Sequence, residues 1–125
     1  MPDTTQPAPT PTTGPLASRY VDVSSIAWEK TRFEGVEWKI LMEDKERGLL
    51  TALMRWAPGA RLPLHEHVEI EQTWVLEGSF EDHQGVCTAG NYVWRPQGSR
   101  HEAWTREGAT MLAVFLSPNR FFDQG

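Results

Sequence analysis

The chain holds only four histidines, and two of them, His65 and His67, are separated by a single residue. Alternate side chains of a β-strand point to the same face, so these two imidazoles can reach one point. Glu69 and Glu71 share that parity. Along a straight strand rising about 3.3 Å per residue, His65 and Glu71 would stand ~20 Å apart, whereas bonds from nitrogen or oxygen to a metal are about 2.0–2.2 Å. A carboxylate can join the pair only if the chain turns first. Val68, Glu69 and Ile70 have the length of a tight hairpin connection. Such a hairpin opens the returning strand with Glu71 beside His67 and leaves Glu69 near the tip, facing water, so Glu71 is favoured over Glu69. The third histidine, His101, follows Pro96-Gln97-Gly98, a reversal that can return it to the same interior. Three neutral imidazoles and a carboxylate suit a borderline divalent ion, and Zn²⁺, Fe²⁺, Mn²⁺ and Ni²⁺ are all compatible. One carboxylate leaves the centre net positive, which favours an anionic or enolisable small-molecule ligand.

These side chains need short strands to carry them. Runs of β-formers cover Tyr20–Val23, Val36–Met42, Leu49–Trp56, Gln72–Phe80, Val86–Cys87, Asn91–Arg95, Arg100–Thr105 and Ala109–Leu116. Gly or Pro stands at almost every junction, which indicates an all-β sandwich or barrel. Val36–Met42 and Leu49–Trp56 form a hairpin, and Ser25–Arg32 has the composition for one short helical turn. The final run is apolar on both faces, so both faces are covered. Residues 1–16 carry five of the nine prolines among Thr, Gln and Ala. Such a composition cannot offset the entropy of ordering by burial. Residues 1–18 are therefore a disordered arm, or are ordered only on a neighbour, and residues 19–125 form one domain.

Gly59, His65, His67, Glu71 and Gly78, at their spacing, resemble the first motif of the cupin superfamily. Gly90, Pro96, Gly98 and His101 resemble the second, whose closing asparagine is Thr105 here. Trp56-Ala57-Pro58-Gly59, the run Val75 to Asp82 and Ser117-Pro118-Asn119-Arg120-Phe121 are most similar to the ChrR-like cupin group. That group includes the cupin domain of zinc anti-sigma factors and small dioxygenases that cleave bonds next to carbonyls. The resemblance implies a double-stranded β-helix, or jelly-roll barrel, with one divalent metal inside. It is consistent with His65, His67, Glu71 and His101 as ligands. It implies most readily a non-haem dioxygenase acting on a carbonyl or enolisable compound. A metal-bound ligand or redox sensor is the alternative, and a metal-dependent isomerase or lyase is a third.

Other residues have plainer readings. His83 sits in the turn Asp82-His83-Gln84-Gly85 and is solvated, and a lone Cys87 in a short strand is packing. Thr73 and Tyr92 are candidates to support the metal ligands, while Glu77 shares Glu71's parity but falls near the rim. Arg61, Arg95 and Arg100 lie near the motifs; each alone reads as surface, although one could enter the pocket. Trp94 and Trp104 fall on either wall. Trp74 and Leu76 point outward and want a cover, as do Met54 and Trp56, which favours a homodimer. A net charge of −5 with no basic block argues against nucleic acid. A single cysteine, no signal-peptide pattern and no apolar run of about 18 residues indicate a cytoplasmic chain with no membrane partner.

Overall fold

The computed structural model describes residues 6–122. It is built almost entirely of antiparallel strands: β1 (Glu29–Lys30), β2 (Val36–Asp44), β3 (Leu49–Trp56), β4 (Arg61–Glu66), β5 (Glu71–Asp82), β6 (Gly85–Thr88), β7 (Tyr92–Arg95), β8 (Arg100–Trp104), β9 (Ala109–Phe115) and β10 (Arg120–Phe121). The hydrogen-bonded order runs β1-β2-β3-β9-β5-β8-β4-β10, with β6 and β7 also on β5. β5 is the hinge of this curled sheet. Its first half pairs with β9 and β7, and its second half with β6 and β8. The outcome is an all-β barrel of the kind that the resemblance implies. Among the described residues, no helix is long and apolar enough to cross a membrane.

β2 and β3 form the expected hairpin, paired from Val36↔Trp56 to Asp44↔Leu49 with a register shift between Ile40 and Met42. Two expectations fail near the N-terminus. Tyr20–Val23 does not form a strand. A 3₁₀ turn covers Val23–Ser25 instead, because the Asp22 carboxylate accepts from Ser24 N–H at 3.1 Å and caps it. The helical turn expected over Ser25–Arg32 is likewise absent, and β1 lies there, paired with β2. Met54 and Trp56, expected to need an outside cover, are buried in the barrel, where the Trp56 ring meets Phe80 edge-on at 5.2 Å.

The hairpin expected between His67 and Glu71 is also absent. β4 pairs with β8 and β10, whereas the start of β5, at Glu71, pairs with β7 and β9. Val68–Ile70 therefore carries the chain from one sheet to the other. The backbone of His67 explains why: its N–H donates to Ser99 O at 2.9 Å and its carbonyl accepts from Gly98 N–H at 2.7 Å. The Pro96–Ser99 reversal, not a returning strand, holds the His67 backbone, while His65 is held between β8 and β10.

The opposite end is closed by close backbone contact. Gly78 has φ +74°, and a Cβ there would stand 1.9 Å from Gly108 O. Thr105, which replaces the motif's asparagine, donates to Ser79 O at 2.7 Å and accepts from Gly108 N–H at 2.9 Å. The core between the sheets comprises Val36, Ala52, Leu62, Val75, Ala103, Met111 and Ala113 with Trp56 and Phe80. Its alanines let the two sheets approach closely.

Candidate metal centre

His65 near the end of β4, His67 just beyond it and His101 in β8 are 2%, 0% and 5% exposed. His65 and His101 are Cα partners across the β4–β8 ladder. One nitrogen from each ring lies within 4.8 Å of the other two. His65 Nδ1 stands 2.8 Å from Pro63 O, an acceptor only, so this nitrogen carries the proton and Nε2 keeps its lone pair. His101 Nδ1 stands 2.8 Å from Asp82 Oδ2. His67 Nε2 and His101 Nε2 face each other at 2.9 Å.

Glu71 reaches the cluster through His67, its Oε2 lying 2.7 Å from His67 Nδ1. That approach lacks the direction of a hydrogen bond, and His67 Nδ1 is buried without a hydrogen-bond partner. A neutral imidazole has one N–H to give. Given to Glu71, it leaves two ring lone pairs opposed at 2.9 Å; given to His101, it leaves a lone pair against a carboxylate. A cation between the two Nε2 atoms removes the conflict, the His67 proton then going to Glu71 from Nδ1. The spacing agrees, since adjacent ligands around an ion with bonds of about 2.1 Å lie ~3 Å apart. The cluster thus has the donors and spacing of a divalent-metal site.

Its electrostatics favour the same ion. Burial lowers the pKa of His65, and the neighbouring His67 lowers it further against the Pro63 carbonyl. Burial and the Arg95 charge bring His101 down to about 4, outweighing its bond to Asp82. Both rings are therefore neutral near pH 7. Burial alone would raise Glu71, but the His67 ring, the Asn119 amide and His65 hold it below the ordinary glutamate value. Asn119 Nδ2 donates to Glu71 Oε2 at 3.2 Å and Thr73 Oγ1 to Glu71 Oε1 at 3.3 Å.

The other candidates separate cleanly. Thr73 is buried against Glu71, but the Tyr92 hydroxyl is on the outer face, donating to Gln72 Oε1 at 2.7 Å. Tyr92 opposes Trp74, whose side chain points out because Thr73 points in. Glu69 meets Gln97 at the surface, and Glu77 is turned outward by an irregularity between Val75 and Glu77. His83 is exposed. Arg61 and Arg100 pair with Glu102 and Glu66 at the surface. Arg95 alone enters, its side chain 11% exposed and bonded to Asp82 at 2.7 Å. Trp94 is exposed, while Trp104 is half-buried beneath Arg61. Half-buried Cys87 has its thiol pKa raised by burial and lines a cavity of about 380 Å³ with Asp82, Arg95 and His101.

Three contributors were missed from sequence: Asp82, Asn119 and Phe121, whose ring packs 5.0 Å from His65. Asp82 reads as a turn residue. Asn119 and Phe121 lie in the Ser117–Phe121 stretch, which the resemblance covers but to which it assigns no role. Phe121 and Asn119 also line a second cavity of about 690 Å³, walled by Phe33, Trp38, Leu50, Met54, Leu62 and Phe115. This cavity lies at the barrel end where Leu50, Phe115 and Glu71 are Cα partners across β3, β9 and β5.

Fold and site together define a cupin barrel with a buried histidine cluster. Residues 16–120 match the ChrR Cupin-like domain, and the chain belongs to that family. Comparison with curated proteins gives no match. Among solved structures, a Methylibium petroleiphilum protein provisionally described as an acetylacetone dioxygenase is 21% identical, with 89% of this chain and 85% of that chain covered and a TM-score of 0.80. An acetylacetone dioxygenase from Acinetobacter johnsonii is 19% identical, with 95% and 85% covered and a TM-score of 0.72. A chain of the Rhodobacter sphaeroides complex of SigE with the anti-sigma ChrR is 26% identical, with 74% of this chain but only 50% of that chain covered and a TM-score of 0.63.

Proposed function

We propose that this protein is a metal-dependent dioxygenase acting on a carbonyl or enolisable compound, with His65, His67 and His101 as ligands of a divalent ion, iron in the active form, and with Glu71 as the fourth once its carboxylate turns from His67 Nδ1 toward the ion. The reading rests on three buried, convergent imidazoles, of which at least His65 and His101 are neutral at pH 7. The ion would supply the open coordination positions at which an enolate oxygen and dioxygen meet. The chain's own residues do the rest. Pro63 O turns His65 so that Nε2 faces inward, and Asn119 and Thr73 hold the Glu71 carboxylate in place. Phe121, packed at a tilt against His65 and Phe33 under the Arg32 guanidinium, covers the His65 ring. The cavity that reaches a ligand, the one of about 380 Å³ lined by His101, combines apolar Phe80, Val93 and Trp94 with charged Asp82 and Arg95, which suits a small substrate with an enolate or other anionic group on an apolar body.

The test is dioxygen uptake by iron-reconstituted protein given a 1,3-diketone. Uptake that stops in His101→Ala supports the enzyme. A sensor reading has one observation in its favour, the likeness to the ChrR complex. Tight zinc with no dioxygen uptake on any diketone would favour it.

We further propose that two copies pair through the outer face of β5 and β7, where Trp74, Leu76, Tyr92 and Trp94 are 45–55% exposed. Large apolar side chains grouped on one sheet face are the mark of an interface.

A further inference from the structure

Asp82 is the most heavily bonded carboxylate near the cluster. Its Oδ1 accepts from the backbone N–H of Gln84 at 2.8 Å and of Gly85 at 3.1 Å, which caps the turn between β5 and β6. Its Oδ2 accepts from Arg95 Nη1 at 2.7 Å and meets His101 Nδ1 at 2.8 Å. The side chain is 2% exposed. A buried carboxylate with this many donors stays ionised and can only accept.

We propose that Asp82 is a positioning residue for the metal centre: it holds the proton of His101 on Nδ1, so that the Nε2 lone pair points at His65 and His67. Arg95 secures Asp82 from its other side by sharing Oδ2. A carboxylate behind a ligating histidine fixes tautomer and ring orientation and makes the ring a better donor. The inference rests on the metal reading above, and its test separates the two.

Asp82→Asn is a directed probe. The two backbone N–H groups of the turn require an acceptor, so the amide oxygen takes the place of Oδ1. The amide NH₂ then replaces Oδ2, offers a proton to His101 Nδ1 and loses the bond from Arg95 Nη1, which can only donate. The imidazole must accept there, which moves its own proton to Nε2, the atom needed for the metal.

Two measurements decide it. In metal-free wild-type protein at neutral pH, ¹⁵N NMR of labelled histidines should show His101 protonated at Nδ1; protonation at Nε2 overturns the proposal without recourse to any variant. Co²⁺ titration against a chelator should show Asp82→Asn binding roughly ten- to hundred-fold more weakly than wild type, with an altered visible spectrum. Wild-type affinity and spectrum in Asp82→Asn would reduce Asp82 to a turn cap and overturn the positioning role alone. No Co²⁺ uptake by wild-type protein would bring down the metal reading, and this inference with it.

Discussion

At the residue scale the decisive quantity is where each proton sits. His65 and His101 have folded-state pKa values below the usual 6.5, His101 at about 4. As pH falls below about 6.5 the unfolded chain takes up protons that the folded chain refuses. The metal-free protein should therefore hold a constant Tm from pH 8 to 7 and lose stability steadily toward pH 4. Below that, Glu71 and Asp82, both lowered, withdraw their contribution as well. A thermal melt against pH checks this, and a Tm flat from pH 7 to 4.5 would contradict it. Glu71 and Glu69 can be told apart directly. Glu71→Gln should weaken metal binding at least roughly ten-fold in a chelator competition, whereas Glu69→Gln, which only meets Gln97 at the surface, should leave it unchanged.

At the scale of elements, the positions of Gly78 and Gly90 make a matched pair. Both have positive φ, but a Cβ at Gly78 collides with Gly108 O while one at Gly90 meets nothing within 4 Å. Gly90→Ala should cost only left-handed strain, about 1–2 kcal/mol. Gly78→Ala should cost about 3 kcal/mol or more, because backbone must move. Urea unfolding of the two variants tests the difference, and equal losses would contradict it. The strands were largely legible in the sequence. The alternation Leu50, Ala52, Met54, Trp56 gave β3 its observed bounds, and Gly or Pro marked most junctions. What the pattern could not carry was pairing. The short link Val68–Ile70 looks the same whether it makes a hairpin or crosses between sheets. The choice is made by Gly98 and Ser99, some thirty residues away, bonding to the His67 backbone. His65, His67 and Glu71 could be named as candidates because they stand in one local motif, and His101 because it stands in a second one that the resemblance supplies. Asp82 and Asn119 could not, because their contacts with His101 and Glu71 span 19 and 48 residues.

For the whole molecule, the proposed pairing through the outer face of β5 and β7 is read in the association state. Sedimentation should show the wild-type chain at twice its monomer mass, with Trp74→Ser and Trp94→Ser together shifting it to monomer while the metal site is kept. A monomeric wild-type chain at tens of micromolar would remove the pairing proposal and leave the site untouched. All of the proposed chemistry depends on one occupied centre per barrel. Elemental analysis of protein purified without chelator, beside His65→Ala and His101→Ala, addresses that at once. One divalent ion per wild-type chain, lost in both variants, is the expected result. Wild-type protein that carries none and takes up none after incubation with Fe²⁺, Zn²⁺, Mn²⁺ or Ni²⁺ would contradict it.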